Sequence, residues 1–242
     1  MGLLGTAAMI LSFDVVPEAI DEHDDWHTHE HFPERLAIPG FLRGTRWVAD
    51  RANTRYVVLY EVEQLATLTS AAYLERLNNP TPWTAKMMPH YRGMTRGFCT
   101  IAGSFGAGLG QAALLIRFKP AEERTDSLRE WLLSEALPQL PSMMGLASAH
   151  LFQSAVAPQG TSEQRIRGID KGMDWAVLVT GYGVARVTDL IDTRLCEAQF
   201  QRKGATGYAG GIYRLEHSLT SAELEAASPV GAPASVAGRQ SQ

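Results

Sequence analysis

The sequence predicts an α+β chain built from two tandem β-α-β-β-α-β repeats with antiparallel sheets, and three observations carry that reading. The chain repeats itself, apolar β-rich runs and amphipathic helical stretches follow the same order in both copies, and the strands are apolar on both faces. Laying residues 9–47 on residues 114–152, a shift of 105 without a gap, aligns 7 identical residues. They are Phe13 with Phe118, Glu18 with Glu123, Asp21 with Asp126, Trp26 with Trp131, Glu30 with Glu135, Pro33 with Pro138 and Gly40 with Gly145.

Each element has its reason. An apolar run opens both copies (MILSFDVV and ALLIRF), then comes a helical stretch with an acidic start, a Gly, and a second apolar run (FLRGTRWVA and LASAHLFQSAVA). Tyr56 to Val62 and Trp175 to Thr180 read as third strands, and each is followed by a helical stretch and a last strand. That order is the split-βαβ or ferredoxin-like unit. Val57 and Leu59 oppose Val58 and Val62 on the third strand, so both sheet faces must be covered. Helices supply one cover, and a partner sheet from the other repeat or from a second chain supplies the other. The expected boundaries are residues 7–104 for the first repeat, 110–220 for the second, and an Ala, Ser, Pro and Gly-rich tail over 221–242, disordered past a last turn at most. GSFGAGLG, between the copies, reads as a flexible linker. Between its second and third strands the first copy has only a short turn near Asp50 to Asn53. The second copy has a polar stretch from Pro158 to Asp174, either an exposed mobile loop or a lid over a site.

Composition narrows the function. With 242 residues, 45% hydrophobic and 20% charged, the chain has ample material for a core. A net charge of -4 argues against a nucleic-acid surface. Cys99 and Cys196 lack metal-type spacing or a disulfide framework, so a reducing cytoplasm is expected. The apolar opening is too short to span a membrane. Met1, Gly2 and Thr6 fit a loose myristoylation pattern, but no basic cluster follows as a second anchor.

The most unusual stretch is DEHDDWHTHEHFPERLAIPG, with 4 of the chain's 7 histidines. On a helix, His23, Trp26, His27, Glu30 and His31 fall within an arc of roughly 140°. The second copy has Leu128, Trp131, Leu132 and Ala136 where the first has His23, Trp26, His27 and His31, and that Leu and Trp spacing marks a buried stripe. Imidazoles on a buried face must be hydrogen-bonded or wet, which predicts a solvent-containing cavity between this helix and the sheet. Three uses stay open: structural histidines, general acid/base work, or a metal held by His27 and His31, with His90 or Glu61 as a third ligand by type alone. His23, about 12 Å along the axis from His31, could not join that ion.

Trp26, the His31-x-Pro33 pair, Pro39-Gly40-Phe41 and the strand with Arg46 and Trp47 resemble the first helix and second strand of the dimeric α+β barrel superfamily, and of its EthD-like members in particular. The resemblance spans about 90 residues of the first copy and fades in the second, where Ala136 replaces His31. It implies two ferredoxin-like sheets closed into an α+β barrel, within one chain or in a homodimer. Members include cofactor-independent monooxygenases, lactone isomerases, polyketide cyclases and tandem-repeat heme enzymes, and fold alone does not choose among them.

The expected site is therefore in the first copy. His31 and His27 are its candidate proton carriers, and Trp26, His23, Tyr60, Trp83 and His90 are candidate wall residues. Arg46 is the candidate anion holder, with Glu30 or Glu61 as its structural partner if it holds no ligand. The expected function is proton-transfer chemistry on a small organic molecule, as in an isomerase, lyase, cyclase or cofactor-free oxygenase. A divalent-metal or heme enzyme and a non-catalytic binding barrel are the alternatives. The second copy is expected to be scaffold.

Overall fold

The structure is a computed structural model, and it describes residues 2–155, 161–167 and 170–227. In the first copy β1 (Ala7–Val15) leads into α1 (Ile20–Trp26), a π-helical turn (His27–His31) and α2 (Phe32–Leu36). Then come β2 (Phe41–Arg51), β3 (Tyr56–Val62), α3 (Ala71–Asn78), α4 (Pro82–Met87) and β4 (Tyr91–Gly106). The second copy runs β5 (Ala112–Pro120), α5 (Thr125–Trp131), a second π-helical turn (Leu132–Ala136) and β6 (Leu146–Ala155). It continues through α6 (Ser162–Arg167), the two-residue β7 (Lys171–Gly172), β8 (Trp175–Gly181), α7 (Val184–Asp192), α8 (Glu197–Arg202) and β9 (Ala205–Thr220). A last helix, α9, covers Ser221–Ala227.

Eight strands follow one another in the order β1-β3-β2-β9-β5-β8-β6-β4, and β4 pairs with β1 to close the ring. The closing seams are β2 with β9 and β4 with β6, both antiparallel and both between the copies. One chain thus makes the whole barrel, and each sheet is the partner that the other's inner face requires. Three cores result. Met9, Phe13, Tyr56, Val58 and Tyr60 pack under the helices of the first copy. Leu114, Ile116, Phe118, Val177 and Val179 pack under those of the second. Ala8, Ile10, Val57, Leu59, Leu115 and Leu178 fill the barrel. Alternate residues of β3 and β8 belong to different cores, which is why all seven positions of each are buried.

The repeat survives in backbone detail. Each helix widens into a π turn at the same place, with Phe32 N–H donating to His27 O and Leu137 N–H to Leu132 O. Gly40 and Gly145, the paired glycines, both sit in the left-handed region at φ 88° and 92°. Pro82 starts α4 behind a Thr81 cap, so the prolines divide this region into separate helices.

Two expectations need correction. Residues 103–106 of the supposed linker are the end of β4, with Gly103 opposite Leu151 and Gly106 opposite Ser148. The tail is helical over its first seven residues, Ser221–Ala227; residues 228–242 lie outside the described residues, and so do 156–160, at the start of the polar stretch, and 168–169 within it. No helix among the described residues is long and apolar enough to cross a membrane. Gly2 is buried, its carbonyl oxygen accepting from Arg43 at 3.0 Å.

Candidate active site

The expected cavity lies between the histidine helix and the outer face of the first sheet. Met9, Leu11, Phe13 and Val58 form its floor, and His27, His31 and Arg35 come from the helix side. Tyr60, Tyr73, Met88, Tyr91, Met94, Arg96 and Glu163 complete the wall. It holds about 30 Å³, room for about one water molecule.

The π turn sets the imidazoles as a ladder. The ring centroids of His23 and His27 are 5.3 Å apart and those of His27 and His31 5.2 Å, with Trp26 4.5 Å from His31 and Phe32 4.4 Å from His27. His23 is structural: its Nδ1 donates to Asp24 at 2.9 Å, and its Nε2 accepts from Tyr91 at 3.2 Å. Burial lowers its pKa, opposed by Asp24. His27 is different. Its Nδ1 is buried without a hydrogen-bond partner. Burial, then the neighbouring imidazoles and Arg46, hold its pKa well below the usual histidine range, so it is neutral near pH 7.

Two further cavity groups carry buried polar atoms without partners, Arg35 Nη1 and Tyr60 Oη. Burial opposes the Arg35 charge, but Glu163 beside it restores the charged form and raises its pKa. Burial pushes the Tyr60 phenol up, so it keeps its proton and can donate. An unsatisfied buried polar atom costs on the order of 1–3 kcal/mol. Three on one small cavity mark a place whose partners come from outside the protein.

Of the sequence-derived candidates, His27, His31 and Tyr60 line this cavity, and Trp26 and His23 pack beside it. Arg46 does not line it. Its Nε donates to Glu216 at 2.6 Å across the β2–β9 seam and its Nη2 to Thr28 of the π turn at 3.1 Å, so its partner is neither Glu30 nor Glu61. Glu61 pairs with Arg43 at 2.6 Å and accepts from Leu4 N–H, and it does not line the cavity. Trp83 donates to Glu22 at 3.1 Å and His90 is half-buried; neither lines the cavity.

Sequence reasoning missed Arg35, Glu163 and Tyr73 as cavity residues. Arg35 was within reach, since it continues the helix face of His27 and His31, and its counterpart in the second copy is the buried Leu140. Glu163 was not, because it comes from the polar stretch of the other copy. There α6 packs against α3, Glu163 pairs with Arg35, and Asp170 pairs with Arg96 at 3.0 Å. The described part of that stretch therefore covers the first copy's cavity and contributes Glu163 to its wall.

The cofactor alternatives meet the same geometry. A heme needs a few hundred Å³ and an axial side chain. The first cavity is about 30 Å³, and the matching place in the second copy is filled by the buried Leu128 and Leu132. With α6 seated, neither place has room for a heme. No group of three or more His, Cys, Asp or Glu that could hold a metal ion occurs among the described residues.

No protein-family model matches the sequence, and no curated protein matches it. Solved structures do. An anthrone oxidase-like protein superposes with TM-score 0.65 at 11% identity, over 90% of this chain and 94% of that one. A proposed monooxygenase of Fusobacterium nucleatum gives 0.60 at 7% identity, over 90% and 96%. A chlorite dismutase variant of Candidatus Nitrospira defluvii gives 0.54 at 11% identity, over 91% and 93%. The chain has the dimeric α+β barrel fold, two ferredoxin-like units closed on each other.

Proposed function

We propose that the protein is an enzyme that moves a proton on a small, carbonyl-bearing organic molecule held in the first copy's cavity, with no cofactor. The observation that carries this is the set of three unpartnered buried atoms, His27 Nδ1, Arg35 Nη1 and Tyr60 Oη, on the wall of one cavity. His27 is the base. A C–H bond beside the carbonyl breaks, the proton goes to His27 Nδ1, and the electron pair becomes an enolate. Its oxygen accepts from Arg35 Nη1 and Tyr60 Oη, which donate without titrating. His31, next on the ladder, is the second proton carrier.

Return of the proton to another carbon makes the reaction an isomerisation. Delivery of the electrons to dioxygen turns a CH₂ into a carbonyl and releases one water, as a cofactor-free oxygenase would. The likeness to an anthrone oxidase-like protein favours the second course and an aromatic, polyketide-like substrate. Membership of the EthD-like branch, a cytoplasmic location and a homodimer belong to the same proposal. Two free cysteines suit a reducing compartment. A homodimer would have to form on the outside, because the barrel closes within the chain.

The test uses anthrone and its 2-carboxylate in deuterated buffer, with and without dioxygen. Exchange at the CH₂ or quinone formation should occur with the wild type and fall about a hundredfold in His27→Gln. Binding without exchange or oxidation would leave a non-catalytic barrel in its place.

A further inference from the structure

Resting on the cavity just described, we infer that its natural ligand is an anion, and that it enters by displacing two carboxylates that the second copy places over two arginines. Both arginines belong to the first copy, Arg35 on α2 and Arg96 on β4, and both line the cavity. Both carboxylates belong to the stretch between β6 and β8. Glu163 sits on α6, and Asp170 directly precedes β7, which pairs with β4 at Thr95 and Arg96. The two ion pairs are almost wholly buried, with side-chain exposures of 2% and 3% for Arg35 and Glu163 and of 3% and 5% for Arg96 and Asp170.

Space and charge lead to the same conclusion. At about 30 Å³ the cavity admits no organic substrate while α6 is seated. The remaining cavity walls belong to the first copy's own strands, helices and the segment beside β4. They are held by ladder hydrogen bonds and the aromatic core. The α6 stretch is held on the first copy by the two ion pairs, the two-residue β7–β4 pairing and packing on α3, with Ser162 N–H donating to Asn78 at 3.2 Å. Moving it leaves two arginines facing the cavity with their countercharges withdrawn, and a buried cation is costly without a partner. A neutral ligand would leave that cost standing. A carboxylate brings the partner with it, taking the place of Glu163 on Arg35 or of Asp170 on Arg96. Glu163 and Asp170 thus select for negative charge: an anion that replaces what they supply binds more tightly than a neutral ligand of the same shape.

Calorimetric titration of the full chain with 2-naphthoate and the neutral 2-naphthamide tests this. Glu163→Gln keeps the shape and removes the competing charge. It should tighten 2-naphthoate about tenfold and leave 2-naphthamide unchanged. Asp170→Asn should act in the same direction, and Arg35→Met should abolish the preference for the anion. Equal tightening of both probes, or no tightening of 2-naphthoate in either variant, would overturn the inference. The proton-transfer reading stands or falls separately, on the His27→Gln assay.

Discussion

The two copies share a backbone and differ in what they put on one face of it. Strand order, π turn and left-handed glycine recur from the first to the second. Yet His27, Arg35, Tyr60 and Arg96 correspond to Leu132, Leu140, Val179 and Gly210. The first two pairs follow from the 105-residue shift, the others from ladder partners: Met9 with Tyr60 against Leu114 with Val179, and Leu11 with Arg96 against Ile116 with Gly210. The shared apolar periodicity makes the fold, and a handful of exchanges on the inward helix face and the facing strands make a wet cavity in place of a dry core. The π turn cannot itself be the catalytic device, since the second copy has it too, with no histidine on it.

Copying the chemistry of the first repeat onto the second should break the second most severely. Leu132→His puts an imidazole into a closed aliphatic core with no cavity to receive it. It should cost roughly 3 kcal/mol, read as a lowered thermal unfolding temperature. A variant as stable as the wild type would mean that the second core is as adaptable as the first.

This contrast was legible because it rests on local periodicity. Leu128, Trp131 and Leu132 at helical spacing told which way the face points, and the aligned histidines inherited the direction. Pairings across the seams were not legible. Arg46 meets Glu216 from β9, 170 residues away, and Arg35 meets Glu163, 128 residues away. No spacing rule joins a strand to a partner chosen by barrel closure, or a helix to an insertion from the other copy.

Acid separates the buried histidines from ordinary ones. His150, in the barrel, is lowered by burial and by Arg43 to about 4. His27 is shifted in the same direction. The unfolded chain takes up these protons near pH 6.5 while the native state refuses them. Stability should therefore be intact above about pH 6.5 and fall as pH drops toward 4, by about 3 kcal/mol for His150 alone. Denaturant titrations from pH 7 to 4 should show this slope and a shallower one in His150→Leu. Identical slopes would remove His150 as its source.

Tyr60→Phe should have the smallest effect on stability, within about 0.5 kcal/mol, because the lost hydroxyl has no partner and the ring contacts with Phe32 and Phe41 remain. Proton exchange should still slow about tenfold. A loss of stability without a loss of exchange would make Tyr60 a core residue like Val179.

The central claim is that the first copy's face is chemical where the second's is structural, and His27→Leu tests it most directly by giving His27 the side chain of Leu132. Exchange and stability should be measured on the same sample. Turnover should fall at least about a hundredfold, while the unfolding free energy holds or rises, since an unpartnered imidazole has been replaced by an apolar group. Unchanged turnover, or a loss that only follows loss of the fold, would contradict the account.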